Sequence, residues 1–260
     1  MSDVAAAARR GLFIAPFDEL VDPRLLAELG RDAEAAGWDG VFLWDHIRYR
    51  EPVRAVADPW VALSAIAAAT TSVRLGPMVT PLSRRRVHKL ARETVTLDLL
   101  SGGRLVLGVG LGSSASGELA PFGDVEDPRK RARLLDEGLD RLAGYWAGEF
   151  EPTPLQRPRI PVWVAARWPA RRPVRRAQRW DGLFPIELPG PQALVELAGE
   201  VATARVAAGR GGEPFDLVVE IDPGADPAPW IEAGATWVLT GFGRQPREAE
   251  VRAVIAAGPR

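Results

Sequence analysis

Short apolar runs of four to seven residues recur along the chain, and each is followed by a longer stretch in which apolar side chains return every three or four positions. The runs fit strands buried on both faces, as in a parallel sheet, and the longer stretches fit helices with one apolar stripe. Residues 11–16 form the first predicted strand, followed by 40–43, 73–79, 104–109, 161–165, 182–185, 216–221 and 236–240. Three of the helices between them carry the same start signal: Asp22-Pro23, Asp58-Pro59 and Asp127-Pro128 each place a capping carboxylate before a proline suited to the first helical turn. The helix from Asp127 is amphipathic through Leu134, Leu135, Leu139, Leu142 and Trp146. Further helices are expected over 87–100, 173–180 and 191–209, near Trp230, and from Gln245 onward. Eight strands alternating with eight helices in 260 residues predict an α/β fold, a single-domain (β/α)8 TIM barrel, rather than an open doubly wound sheet. Residues 1–10 carry charge and alanine without a hydrophobic segment and are expected to form a flexible extension.

The stretch SGGRLVLGVGLG at 101–112 concentrates this logic. Ser101-Gly102-Gly103 stops a helix, the following apolar run is a strand, and Gly108, Gly110 and Gly112 remove side chains where that strand ends. In a parallel α/β protein that end is where ligands sit. The spacing G-x-G-x-G is a weak dinucleotide fingerprint, because the next helix does not begin until about Pro128. A tight turn, or close approach of a ligand or a neighbouring loop, explains the glycines equally well.

Composition narrows the chemistry. The formal net charge of -1 gives no global case for nucleic acid or an anionic membrane. Cysteine is absent, which removes disulfides, thiolate metal sites and a cysteine nucleophile, and two histidines, His46 and His88, make a multi-histidine metal site an unfavourable reading. No apolar run approaches the ~20 residues that span a bilayer. A cytoplasmic enzyme acting on a small molecule, with no metal, nucleic-acid or membrane partner, is expected.

In a barrel, function gathers at the carboxyl ends of the strands. That criterion selects Asp45, His46, Met78, Val79, Thr80, Gly110, Gly112, Ser113, Arg167, Trp168, Glu187, Glu220 and Phe242. Asp45-His46 is the candidate catalytic pair: an imidazole titrates near neutrality and can exchange a proton, while a neighbouring carboxylate can orient a loop or bias protonation. Residues 167–179 hold six arginines and no acid. Arg172, Arg175, Arg176 and Arg179 fall at helical spacing as one solvated face, whereas Arg167 and Arg171, with Arg172 beside them, precede the helix where a phosphate would meet guanidinium forks. No G-x-S-x-G elbow, H-E-x-x-H or P-loop occurs, so a bound cofactor that carries the chemistry itself suits this mouth best.

The segments GLFIAPF, AEAAGWDGVFLWDH, DPWVALSAIAAATTSVRLGPMVTP, LARETVTLDLLSGGRLVLGVGLG and RIPVWVAAR with RRAQRWDGLFP occur in order over residues 11–185. Together they resemble the bacterial luciferase-like flavin and deazaflavin oxidoreductases. The resemblance implies a barrel that binds FMN or the deazaflavin coenzyme F-420 at its mouth through Met78, Val79, Thr80, Gly110, Gly112, Ser113, Arg167, Trp168, Arg171 and Arg172. It also implies a non-prolyl cis peptide near Met78-Val79. The Trp44-Asp45-His46 ending resembles deazaflavin-using members, which would set His46 toward the redox carbon. The reaction implied is hydride transfer between reduced F-420 and a small organic substrate. The alternatives are an FMN-dependent monooxygenase served by a separate flavin reductase, a non-catalytic flavin-binding barrel, or a cofactor-free isomerase or lyase. Relatives are often homodimers. Two departures stand out. Members that oxidise sugar phosphates carry a glutamate acid shortly after the fourth-strand glycines, where the matching position here is Ser113, so that substrate class is not expected. The segment between Trp146 and Pro161 is shorter than the hairpin-bearing segment of relatives, and its loss is expected to widen the mouth, remove a partner surface or mark a degenerate member.

Overall fold

The computed structural model describes residues 8–259. Its strands are β1 Arg9–Ile14, β2 Gly40–Leu43, β3 Arg74–Pro77, β4 Thr80–Pro81, β5 Leu107–Gly110, β6 Val162–Arg167, β7 Gly182–Ile186, β8 Asp216–Ile221 and β9 Trp237–Gly241. All pair in parallel, in the order β3-β2-β1-β9-β8-β7-β6-β5-β4. The two ends of that order, β3 and β4, are halves of the third predicted strand, separated by the cis peptide Met78-Val79. A parallel bridge from Leu75 to Leu105 joins β3 to the chain entering β5, so the sheet closes into a barrel of eight positions.

Outside the sheet lie α1 Pro23–Ala35, α2 Pro59–Ala69, α3 Val87–Ser101, α4 Pro128–Gly144, α5 Arg171–Ala177, α6 Pro191–Ala207, α7 Ala228–Glu232 and α8 Glu248–Ala257. The Asp-Pro starts act as the sequence predicts: Asp22, Asp58 and Asp127 accept hydrogen bonds from backbone N–H groups of the first turn. Gly102, with φ 68°, ends α3 in the left-handed conformation. Strand side chains alternate between two cores. One lies between sheet and helices, and the other, inside the barrel, is built from Phe13, Phe42, Met78, Trp163, Phe184, Trp237 and their neighbours.

Two expectations are corrected. Arg9 and Arg10, expected in a flexible extension, are the first residues of β1 and pair in register with Trp237 and Val238; residues 1–7 lie outside the described residues. The shortened segment after α4 does not border the mouth. A connection from helix to strand returns to the amino end of the barrel, and here Leu155 and Gln156 are held there by Asp98, with Gln156 also accepting from Arg74 at the start of β3.

The same end is braced by Arg104, whose buried guanidinium donates to the carbonyls of Ala67, Thr70, Val73 and Ser101 and to the Thr70 hydroxyl. Arg104→Ala strands these acceptors and should cost about 3 kcal/mol in denaturant unfolding. A loss under about 1 kcal/mol would show that water replaces the side chain there.

Candidate active site

The carboxyl ends of the strands hold a buried ionic cluster. Trp44, Asp45 and His46 follow β2 directly, and Thr80, Arg84 and Arg85 lie in and just beyond β4. Asp45 is fully sequestered. Its carboxylate accepts from Thr80 Oγ1 at 2.6 Å, Trp60 Nε1 at 3.1 Å, Arg84 Nη2 at 2.8 Å and Arg85 Nη2 at 2.9 Å. Every lone pair is engaged, so Asp45 ties the second strand to the third and does not touch His46.

The imidazole has a different carboxylate. His46 Nδ1 lies 3.0 Å from Oε1 of Glu118, a residue with no solvent exposure in the loop between β5 and α4. Oε2 of the same carboxylate accepts from the Ile47 N–H at 3.1 Å and pairs with Arg84 Nη1 at 2.7 Å. Burial alone would raise the Glu118 carboxyl, but the His46 hydrogen bond and charge, Arg84 and the Ile47 amide together hold it below its ordinary range. An ionised carboxylate only accepts, so the proton on this edge sits on His46 Nδ1, and Nε2 is left without a protein partner among the described residues. Phe17, Trp44 and Tyr49 surround the ring, with Tyr49 nearest at 4.8 Å between centroids. Beyond Tyr49, residues 47–56 fold around a cavity of about 580 Å³.

Glu118 escaped the sequence reading, which searched the position of Ser113. Ser113 instead caps a short turn, accepting from the Ala115 N–H at 3.2 Å. The available signal was isolation: Glu118 is the one charged residue in 111–123. Arg84 and Arg85 escaped because nothing local separates them from Arg86.

Met78 is buried in the inner core, Val79 is half-buried beside it, and Thr80 is buried through its bond to Asp45. The space opened by Gly108 and Gly110 is filled by protein. A Cβ on Gly108 would overlap Pro77 and Met78, and one on Gly110 would come within 2.7 Å of Val79. Gly112, with φ 72°, turns the chain against Pro81. The glycines therefore let β5 approach the broken third strand.

The arginine cluster divides. Arg167 pairs with Glu187, both well exposed, and Arg171 lies over the half-buried Trp168 while pairing with Glu200 at 3.0 Å. Arg172 is exposed without an ion-pair partner among the described residues. Arg176 and Arg179 bind Asp136 and Asp140 of α4, so that part of the face is structural. The described residues contain no cluster of three or more metal-ligating side chains and no helix long and apolar enough to cross a membrane.

The chain matches the family described as luciferase-like monooxygenase over residues 8–227. An uncharacterized protein of Mycobacterium tuberculosis is 34% identical over 209 residues, covering 74% of this chain and 71% of that protein. An F420-dependent glucose-6-phosphate dehydrogenase of Beutenbergia cavernae is 33% identical over 227 residues, covering 79% of this chain and 66% of the relative. Among solved structures, an F420-dependent secondary alcohol dehydrogenase in complex with an F420-acetone adduct superposes with a TM-score of 0.78, covering 97% of this chain and 98% of that one at 16% identity, a likeness of fold.

Glu118→Gln should destabilise the protein by about 3 kcal/mol at neutral pH, because it removes a buried charge facing Arg84. A carboxyl lowered in the fold contributes stability that is present above its ordinary value of 4.5 and lost as pH falls through its folded value. Melting curves of the two proteins should therefore separate at pH 7 and converge in acid. Separation independent of pH would mean that Glu118 acts through packing.

Proposed function

Because the chain belongs to the luciferase-like monooxygenase family, whose members are flavin- or deazaflavin-dependent oxidoreductases, we propose that it transfers a hydride between reduced coenzyme F-420 and a small organic substrate. The observation that carries this reading is His46, held by Glu118 at the end of β2 with Nε2 free, in a chain 33% identical to an F420-dependent relative.

The mouth fits a flat heteroaromatic ring. Phe13, Trp44, Met78, Val79, Phe184 and Ile186 line the inner core toward the carboxyl end, and the buried Trp44 indole N–H has no hydrogen-bond partner among the described residues, a donor suited to a ring acceptor. A reduced deazaflavin bound there supplies two electrons as hydride and activates oxygen poorly. His46 presents Nε2 for proton exchange, and Glu118 fixes its tautomer and orientation. Asp45 acts as a positioning residue through Arg84, Arg85 and Thr80. Gly110 and Gly112 shape the wall beside the third strand, and Ser113 follows them in the turn that it caps. Arg167, Arg171 and Arg172, with Trp168, receive the anionic tail, since their surface pairs with Glu187 and Glu200 are weak enough to exchange for a phosphate.

The family description favours a second reading, an FMN-dependent monooxygenase served by a flavin reductase. Fluorescence titrations with F-420 and with FMN separate the two. Binding of F-420 with weak FMN binding supports hydride transfer, the reverse supports the monooxygenase, and binding of neither defeats both. His46→Asn should lower turnover about 10²- to 10⁴-fold while leaving cofactor affinity within about threefold. Equal losses of melting temperature and activity would assign His46 to the scaffold.

A further inference from the structure

Glu220 is a charged residue on the inner face of the barrel with nothing to hold it. On β8 the side chains alternate, Val218 belongs to the inner core, and Glu220, two residues on, faces the same way at the mouth. It pairs in register with Leu239, another inner-core residue. Its side chain lies across Gly241 at the end of β9, where a Cβ would come within 2.9 Å of Glu220 Cγ, and Gly241 in turn pairs with Phe13. The absent side chain at 241 thus lets the carboxyl lean toward the aromatic wall of Phe13, Trp44 and Phe184. Among the described residues the carboxyl has no hydrogen-bond or ion-pair partner.

The position is specific. Around the closed sheet β8 stands four places from the break between β3 and β4, which is diametrically opposite in a barrel of eight. If the cofactor ring lies against the broken strand, Glu220 faces it across the space left for substrate. The charge that bears on Glu220 has the same sign. Asp222, two residues on, is the charge that acts on Glu220; the β9 side brings Gly241 and Phe242, and the β7 side brings Ile186 and then Glu187, already paired with Arg167. Of the other cations of the mouth, Arg84 and Arg85 are committed to Asp45 and Glu118, Arg48, Arg50 and Arg54 line the cavity on the loop after β2, and Arg244 is exposed on the loop after β9.

We propose that Glu220 determines substrate charge: with Asp222 beside it, its carboxyl receives a protonated amine on the substrate and turns anionic substrates away. This rests on the reading of the mouth as a cofactor and substrate site. An ammonium group at this position would gain a carboxylate at hydrogen-bonding range and the faces of the aromatic wall, whereas a carboxylate or phosphate placed there would meet two acids that have no ion-pair partner among the described residues. Glu220 is exposed at the opening, but the barrel walls around it reduce its hydration and Asp222 adds repulsion, which pushes the carboxyl up to about 7, so an arriving cation would find it part-protonated and would expel that proton.

Calorimetric titrations of the full chain with cyclohexylamine, cyclohexanol and cyclohexanecarboxylate, in buffers of different ionisation enthalpy, test this directly with and without F-420. The wild type should bind the amine about tenfold or more tightly than the carboxylate and release about half a proton per site at pH 7. Glu220→Gln, nearly the same shape, should lose both the preference and the proton release. Equal binding of amine and carboxylate, a preference retained in the variant, or no binding of any probe would overturn the proposal. Cofactor titrations on the same samples separate the two readings. Amine selectivity without F-420 or FMN binding would sink the cofactor reading alone, and cofactor binding without selectivity would sink the assignment of Glu220 alone.

Discussion

Arg84 bridges two carboxylates that have no access to water, Asp45 at the end of β2 and Glu118 in the loop after β5, and the organisation of the mouth depends on that bridge. One guanidinium between two buried anions would be poorly compensated, but Arg85 adds a second cation on Asp45, and Thr80, Trp60 and the Ile47 amide satisfy the remaining acceptors. Such a network is costly to break at any one member, because the others are left charged and dry. Four chain segments meet in it: the end of the second strand, the start of α2 through Trp60, the far half of the third strand with the turn beyond it, and the loop after the fourth position. His46 inherits its place from this arrangement. The ring is held by Glu118, and Glu118 is held by Arg84, so the geometry of the imidazole at the mouth is set by groups buried behind it.

The interior of the barrel imposes the complementary constraint. A third strand split at Met78-Val79 thrusts main chain and side chains toward its neighbour, and β5 accommodates them only because positions 108 and 110 lack a Cβ. With β-branched or larger residues there, the strands would separate and the bridge that closes the sheet would open. The same device recurs across the barrel, where Gly241 yields its side-chain space to Glu220. Small residues at strand ends here make room for protein groups, and those groups shape the cavity.

Local signals in the sequence were reliable and distant ones were not. The three Asp-Pro helix starts, the glycine stop after α3 and the alternation of apolar runs specify the barrel because each rests on contacts within a few residues. Asp45-His46 was visible for the same reason, as a polar pair ending an apolar run. Their division of labour was not, since His46 finds its carboxylate 72 positions away and Asp45 finds its arginines 39 and 40 positions away. The glycines were legible as a place without side chains, but a sequence does not say from which side that space is filled. The arginine run illustrates the converse: four of its members, read as candidate ligands or as a solvated face, meet acids contributed by other elements, Glu187, Glu200, Asp136 and Asp140.

Those pairings give the mouth an uneven charge. On the side of β2 and β4, anions and arginines neutralise one another in the buried cluster. Near β6 and α5, exposed arginines are paired so loosely that an arriving anion competes with water-exposed carboxylates on nearly equal terms. Near β8, Glu220 and Asp222 have no ion-pair partner among the described residues, and Asp222 acts on Glu220 as a like charge. An elongated ligand with an anionic end and a planar, uncharged body would therefore be drawn with its charged end toward α5 and away from Glu220. Whatever shares the mouth with it meets the acidic side. In this barrel the two charge environments are separated by the strands from which their groups project, a separation fixed when the sheet closed.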